Sequence, residues 1–237
     1  KAIVALLPLV PRPLVWKISR RYIAGTTLDD ALTCVEELNS NGMSATLDVL
    51  GEDTTDQQQA LEGEKIYQSA LREISSRDLD ANISVKLSML GLRIDPALCE
   101  SIMRRLLQSA ESFNSFVRID MEDSTVTDVT LQLYEKLRRD SDRVGAAVQA
   151  YLRSTESSVL DLLGDGETNL RLCKGIYVEP EEIAYTEFKE VQASFRNSLR
   201  ALLEGGARRV GIATHDPELV ESALEMIRKL DVPRDRY

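Results

Sequence analysis

The sequence predicts an α/β domain of the (βα)8 TIM-barrel type, with six βα units present and helices ahead of them. Six short β-branched or apolar runs recur at spacings of roughly 25 to 40 residues, each followed by a helical pattern. That separation is what the right-handed crossovers of a parallel sheet require. The phosphate loops of an open doubly wound sheet, G-x-G-x-x-G and G-x-x-x-x-G-K-[ST], are absent, which favours closure into a barrel. At 237 residues and 43% hydrophobic content, the chain can bury one large core.

Residues 1–42 read as a helical leader and 43–237 as the barrel. Within the leader, 14–22 and 28–39 carry helical patterns, the second capped by Thr27 and ended at Asn41-Gly42. The predicted strands are 45–50, 83–90, 116–121, 144–151, 170–177 and 210–214. Thr54 with Gln57 suggests a capping box for the helix after the first strand. Asp95-Pro96 and Asp216-Pro217 each place an N-cap before a proline at the first helical position. After the last helix, 231–237 looks like a loop entering a seventh strand, so the barrel is expected to be incomplete.

The 39 acidic and 29 basic residues give a net charge of -10, which repels phosphodiester backbones and anionic bilayers; no nucleic-acid partner is expected. Cys34, Cys99 and Cys173 are odd in number and far apart, so neither a disulfide framework nor a zinc site is suggested. A reducing, cytoplasmic setting fits. The apolar stretch 2–10 is broken by Pro8 and is about half the ~20 residues a membrane span needs. Lys1 with no initiator Met reads as the start of a piece of a longer chain.

Polar groups cluster near the predicted carboxyl ends of five strands, where barrel enzymes build their sites. They are Lys86; Asp120 with Glu122 and Asp123; Gln149; Arg171, Lys174 and Tyr177; and Thr214-His215-Asp216. Each alone has an ordinary structural explanation. Lys86 and Asp120 could be an interior ion pair, Asp216 a helix cap, His215 a satisfied histidine and Gln149 a plain strand residue. Their coincidence at one rim points to a cleft with a function. Residues 171–177 are the most telling, because two cations on an apolar strand each cost several kcal/mol, on the order of the buried-ion penalty, unless something pairs with them.

No Ser-His-Asp order, metal-ligand set or opposed carboxylate pair is present, so hydrolysis is not indicated. Cations beside a redox ring stabilise the negative charge it gains on reduction, and amides or carboxylates can bond its pyrimidine edge. A flavin suits this set.

Five stretches carry a resemblance: VKLSMLGL at 85–92, VRIDMED at 117–123, VQAYL at 148–152, LRLCKGIY at 170–177 and IATHD at 212–216. In this order and spacing the chain resembles the flavin-binding (βα)8 barrel of proline dehydrogenases, from Tyr22 onward. The resemblance implies noncovalent FAD over the barrel mouth, L-proline against its ring, hydride transfer, Δ1-pyrroline-5-carboxylate as product and electrons passed to a membrane quinone. Arg171 matches a residue near the flavin N5, Gln149 a contact to the flavin head, and Lys174, Gly175, Thr214 and His215 further cofactor contacts. Lys86 and Asp120 match a charged pair at the substrate side, and Tyr177 a phenol walling the pocket. A pyrroline-5-carboxylate dehydrogenase acting downstream, and peripheral contact with the inner membrane as an addition to the cytoplasmic location, belong to the same implication.

The family's arginine pair that clamps the substrate carboxylate would lie beyond Tyr237. Arg104-Arg105, Arg138-Arg139 and Arg208-Arg209 lie in outer helices or before the sixth strand and are not transferred to that role. The piece alone is expected to bind proline poorly. Two other readings stay open: a Schiff-base lyase or aldolase using Lys174 or Lys86, and a non-catalytic barrel fragment.

Overall fold

In the computed structural model, which describes residues 23–164 and 166–237, helices and strands alternate from α1 (Leu28–Ser40) to α7 (Pro217–Lys229). Between them lie β1 (Ala45–Asp48), α2 (Gln57–Ser76), β2 (Ala81–Val85), α3 (Pro96–Ser112), β3 (Val117–Ile119) and α4 (Ser124–Arg138). There follow β4 (Val144–Gln149), α5 (Thr155–Leu162), β5 (Asn169–Cys173), α6 (Phe188–Glu204) and β6 (Arg209–Ala213). All six strands are parallel and pair in sequence order. Sequential parallel pairing with right-handed crossovers puts every connecting helix on one side, so the sheet curls as the wall of a (βα)8-type barrel.

Strand alternation divides the residues between two faces. Ile83, Val85, Val117, Ile119, Ala146, Val148, Leu170, Leu172 and Val210 are buried on the outer face. They pack in one core with Tyr67 and Leu71 of α2, Ile102 and Leu106 of α3, Tyr134 of α4, and Phe195 and Leu199 of α6. The intervening positions, Ser84, Arg118, Asp120, Arg171 and Gly211, belong to the inner face. At its amino-terminal end the Arg118 guanidinium donates to the Asn169 carbonyl at 3.1 Å and to its Oδ1 at 2.8 Å. Burial pushes its pKa down to about 9. Gly145 leaves the room that this guanidinium occupies.

Helix starts follow local chemistry. Thr27 accepts from the Asp30 N–H at 3.2 Å while Asp30 accepts from Thr27 N–H at 3.1 Å, so a capping box opens α1. Thr27→Ala is expected to cost about 1 kcal/mol. A lowered urea midpoint with unchanged slope would show it, and an unmoved midpoint would remove the cap from the list of stabilising contacts. Asp95 and Asp216 cap α3 and α7 ahead of their prolines. The other leader helix, at 14–22, lies outside the described residues.

β1, β3 and β4 end about two residues earlier than expected, at Asp48, Ile119 and Gln149, and four further boundaries differ for a local reason. The second strand ends at Val85, because 87–94 folds back in tight turns with Leu92 N–H bonded to the Leu87 carbonyl at 2.9 Å and Gly91 at φ 87. Its leucines are buried as a turn rather than a strand. The fifth ends at Cys173, since Gly175 at φ 108 turns the chain. The cap of α2 is Asp56, which accepts from Gln59 N–H at 2.9 Å, whereas Thr54 donates to the Ser88 carbonyl. After α7 the chain makes a 3-10 turn at Arg234–Arg236, fastened by Arg236 to the Ala207 carbonyl at 2.9 Å.

Candidate active site

Three groups of polar side chains sit at or just past the carboxyl ends of the strands. The first crosses β1, β2, β3 and β5. The Lys86 ammonium donates to Asp48 at 2.7 Å and lies 3.9 Å from Asp120. Asp120 accepts from the Ser84 hydroxyl at 2.5 Å and pairs with Nη2 of Arg171, which also donates to Ser84 Oγ at 3.3 Å. Charges therefore alternate along the row Asp48, Lys86, Asp120, Arg171.

Burial alone would lower the Lys86 pKa, but the Asp48 hydrogen bond and the nearby carboxylates reverse this and raise it. Burial raises the Asp48 carboxyl, with Lys86 opposing. Arg171 makes its hydrogen bonds through Nη2, leaving Nε and Nη1 without a protein acceptor among the described residues. Its aliphatic stem packs at the position of Gly211, where a Cβ would come within 3.1 Å of Arg171 Cγ.

The second group surrounds Gln149, which is 2% exposed. Its amide donates to the Glu122 backbone carbonyl at 2.8 Å and accepts from Ile176 N–H at 3.4 Å. Next along the chain, the Tyr177 hydroxyl donates to Glu52 at 3.1 Å. Burial and the Glu52 carboxylate hold the Tyr177 phenol above its usual pKa. Glu122 is buried and receives Ser88 N–H at 3.0 Å as well as the Ser88 hydroxyl; burial raises its carboxyl, and those two bonds only partly offset it. Gly175 packs on the face of Tyr151, whose ring an added Cβ would overlap.

The third group closes the rim at β6. The Lys174 ammonium lies 3.4 Å from Asp216 and 5.1 Å from the centre of the Phe188 ring. Gln192, fully buried, donates to the same Asp216 oxygen at 3.0 Å. Thr214 accepts from Asp216 N–H at 3.1 Å, and His215 is exposed beside it. Lys174, Phe188, Thr214, His215 and Asp216 border an open cleft of about 770 Å³.

The sequence-predicted residues thus fall into these three groups. Lys86, Asp120 and Arg171 share one network; Gln149, Gly175 and Tyr177 lie beside the second; Lys174, Thr214 and His215 are in the third. Asp48, Ser84 and Glu52 were not singled out from the sequence, though each directly contacts a residue that was. Arg104, Arg105 and Arg208 pair on the outer surface with Glu100, Glu64 and Asp142. Among the described residues, no cluster of three or more His, Cys, Asp or Glu side chains is arranged to hold a metal ion, and no helix is long and apolar enough to cross a membrane.

Comparison with known proteins identifies the family and the fold. Residues 31–237 match the family model for proline dehydrogenase. Proline dehydrogenase 2 of Bacillus subtilis (strain 168) is 31% identical over 217 residues, covering 92% of this chain and 71% of the relative. Proline dehydrogenase 1 of Bacillus subtilis subsp. natto is 29% identical over 220 residues, covering 92% of this chain and 72% of that one. In fold, the chain superposes on the crystal structure of proline utilization A (PutA) from Bdellovibrio bacteriovorus inactivated by N-propargylglycine, with a TM-score of 0.86 at 22% identity. That match covers 94% of this chain and 28% of the longer one. A family match over nearly the whole chain, on a barrel wall whose rim gathers cations, carboxylates and an amide, shows that the chain belongs to the proline dehydrogenase family.

Proposed function

We propose that this protein oxidises L-proline to Δ1-pyrroline-5-carboxylate with FAD as the acceptor, as the first step of proline catabolism. Family membership supports the substrate. The observation that carries the cofactor is Arg171, a guanidinium fixed at the mouth by Asp120 with two of its nitrogens free of protein acceptors among the described residues. The donor set fits a flavin: Arg171 offers N–H groups and a positive charge to an electron-accepting ring, Gln149 a buried amide, and Lys174 an ammonium suited to an anionic part of the cofactor. Gly175, with no side chain, lets the chain turn tightly against the Tyr151 ring, and Thr214 and His215 would complete the cradle.

Bound there, FAD would supply the two-electron acceptor for a hydride leaving the ring carbon beside the proline nitrogen, the N–H proton being released. Arg171 presents a charge that stabilises electron density arriving at the mouth more than the resting state, the differential interaction that catalysis requires. Asp48, Lys86 and Asp120 hold one another in register, so a zwitterionic substrate meets fixed charges of both signs. Tyr177, steadied by Glu52, walls the pocket. On this reading 43–237 is the barrel, preceded by α1. Electrons pass on to a quinone through peripheral membrane contact from the cytoplasm, and a pyrroline-5-carboxylate dehydrogenase consumes the product.

The Schiff-base reading is disfavoured because a nucleophilic lysine must be neutral. Lys86 is paired with carboxylates that raise its pKa, and Lys174 faces Asp216. The test is the visible spectrum of the full-length protein before and after anaerobic L-proline. A flavin band bleached by proline is expected; a colourless protein, or lysine trapped by borohydride with a carbonyl substrate, would overturn the assignment.

A further inference from the structure

Glu122 touches neither of the charge groups assigned to the chemistry, yet it is 3% exposed, an expensive place for a carboxylate. Following its contacts gives a closed circuit. Its side chain takes both the N–H and the hydroxyl of Ser88. Ser88 Oγ accepts from Asp53 N–H at 3.1 Å, and the Ser88 carbonyl accepts from the Thr54 hydroxyl at 2.9 Å. The residue before Asp53 is Glu52, which holds the Tyr177 hydroxyl; the residue before Tyr177 is Ile176, whose N–H reaches Gln149. Gln149 returns to the backbone carbonyl of Glu122. The circuit joins segments following β1, β2, β3 and β5 to the end of β4.

Asp53 supports this reading independently, because it sits at φ 51, a left-handed conformation that a non-glycine keeps only when its surroundings over-determine it. The ion pair of Asp53 with Arg93 at 3.0 Å involves a carboxylate 65% exposed, so it adds little restraint. The part-buried contact to Ser88 is the firmer restraint.

We propose that Glu122 is a positioning residue: by gripping Ser88 it fixes the loop that bears Glu52, and through Glu52 and Gln149 it sets the Tyr177 segment at the mouth. The proposal rests on the functional reading above for its kinetic consequence, but not for its structural one. In the full-length protein, Glu122→Gln replaces an acceptor of Ser88 with an amide donor at nearly constant size. Backbone hydrogen exchange at 52–54 and 175–178 is expected to rise about tenfold in both loops, since a charge-assisted bond is lost. The KM for proline is expected to rise about tenfold with a much smaller change in kcat. Tyr177→Phe should raise KM as well, and the double variant should do no worse than the worse single one, because both cut the same circuit.

A merely structural Glu122 would loosen only the neighbourhood of Ser88 and lower thermal stability, leaving 175–178 protected. That result, or KM effects that multiply, would overturn the proposal. Should Glu122→Gln fail to fold, Ser88→Ala keeps the backbone contacts and is expected to loosen the same two loops to a smaller extent; wild-type protection in both would overturn it equally. Absence of proline-dependent bleaching in the wild type would defeat the functional reading alone, since exchange needs no substrate.

Discussion

Arg171→Met is expected to slow reduction of the proposed flavin by proline about 10²- to 10³-fold, the range found when one preorganised donor is removed from a site of developing negative charge. Methionine is shorter than arginine but reproduces its unbranched stem, so the Cβ and Cγ atoms packed over Gly211 keep their contacts. What disappears is a positive charge already oriented by Asp120 and Ser84. Asp120 does not become an orphan carboxylate, because the Ser84 hydroxyl at 2.5 Å and the Lys86 ammonium at 3.9 Å remain. The fold should therefore persist while the rate falls. Arg171→Lys should recover part of the rate, since it restores the charge but not the planar fork. Stopped-flow absorbance of the reductive half-reaction decides the matter: a rate equal to wild type in Arg171→Met would remove Arg171 from the chemistry.

The alternation of strands and helices was legible because each strand's outer face must be apolar over a core, and six such runs at crossover spacing leave little else to build. Strand ends were less legible, for a physical reason. In 83–90 the apolar run continues through Leu87, Met89 and Leu90, and burial alone does not distinguish an extended segment from a buried turn. Gly91 and Gly175 were the available signals, both at positive φ.

Charged residues on inner positions of neighbouring strands stood out, so Lys86, Asp120 and Arg171 could be named from the sequence. Their partners could not. Asp48 lies opposite Ser84 only once the β1 and β2 register is fixed, and a lone serine or aspartate in a strand has no distinguishing mark. Glu52, the partner of Tyr177, belongs to a loop whose place beside the named Glu122 depends on the turn at 87–94 that the sequence pattern concealed. Inner-face parity, counted back from Lys86 to Ser84, was the one clue left unused.

Gly175→Ala tests whether the floor of the site depends on a missing side chain. At φ 108 an alanine is strained by about 1 to 3 kcal/mol wherever it has room. Here it has none, because its methyl would overlap the ring of Tyr151. Tyr151 is a poor candidate to yield: it is 7% exposed, its N–H is bonded to the Lys174 carbonyl at 2.9 Å and its own carbonyl accepts from Tyr185 at 2.7 Å. The chain at 174–177 must shift instead, which strains the Ile176 bond to Gln149 and the Tyr177 bond to Glu52 and moves Lys174. Overpacking adds roughly 1 to 3 kcal/mol to the backbone strain. If about 2.8 kcal/mol of that total opposes the bound arrangement, flavin affinity falls about 10²-fold, at 1.4 kcal/mol per tenfold. Titration of the flavin-free protein by flavin fluorescence would measure it. Gly206→Ala is the control: its φ of 74 is also positive, near the left-handed well, and nothing lies within 4 Å of the new methyl. Flavin binding should be unchanged in Gly206→Ala and weakened in Gly175→Ala; equal affinity in the two would mean that this turn does not form part of the cofactor floor.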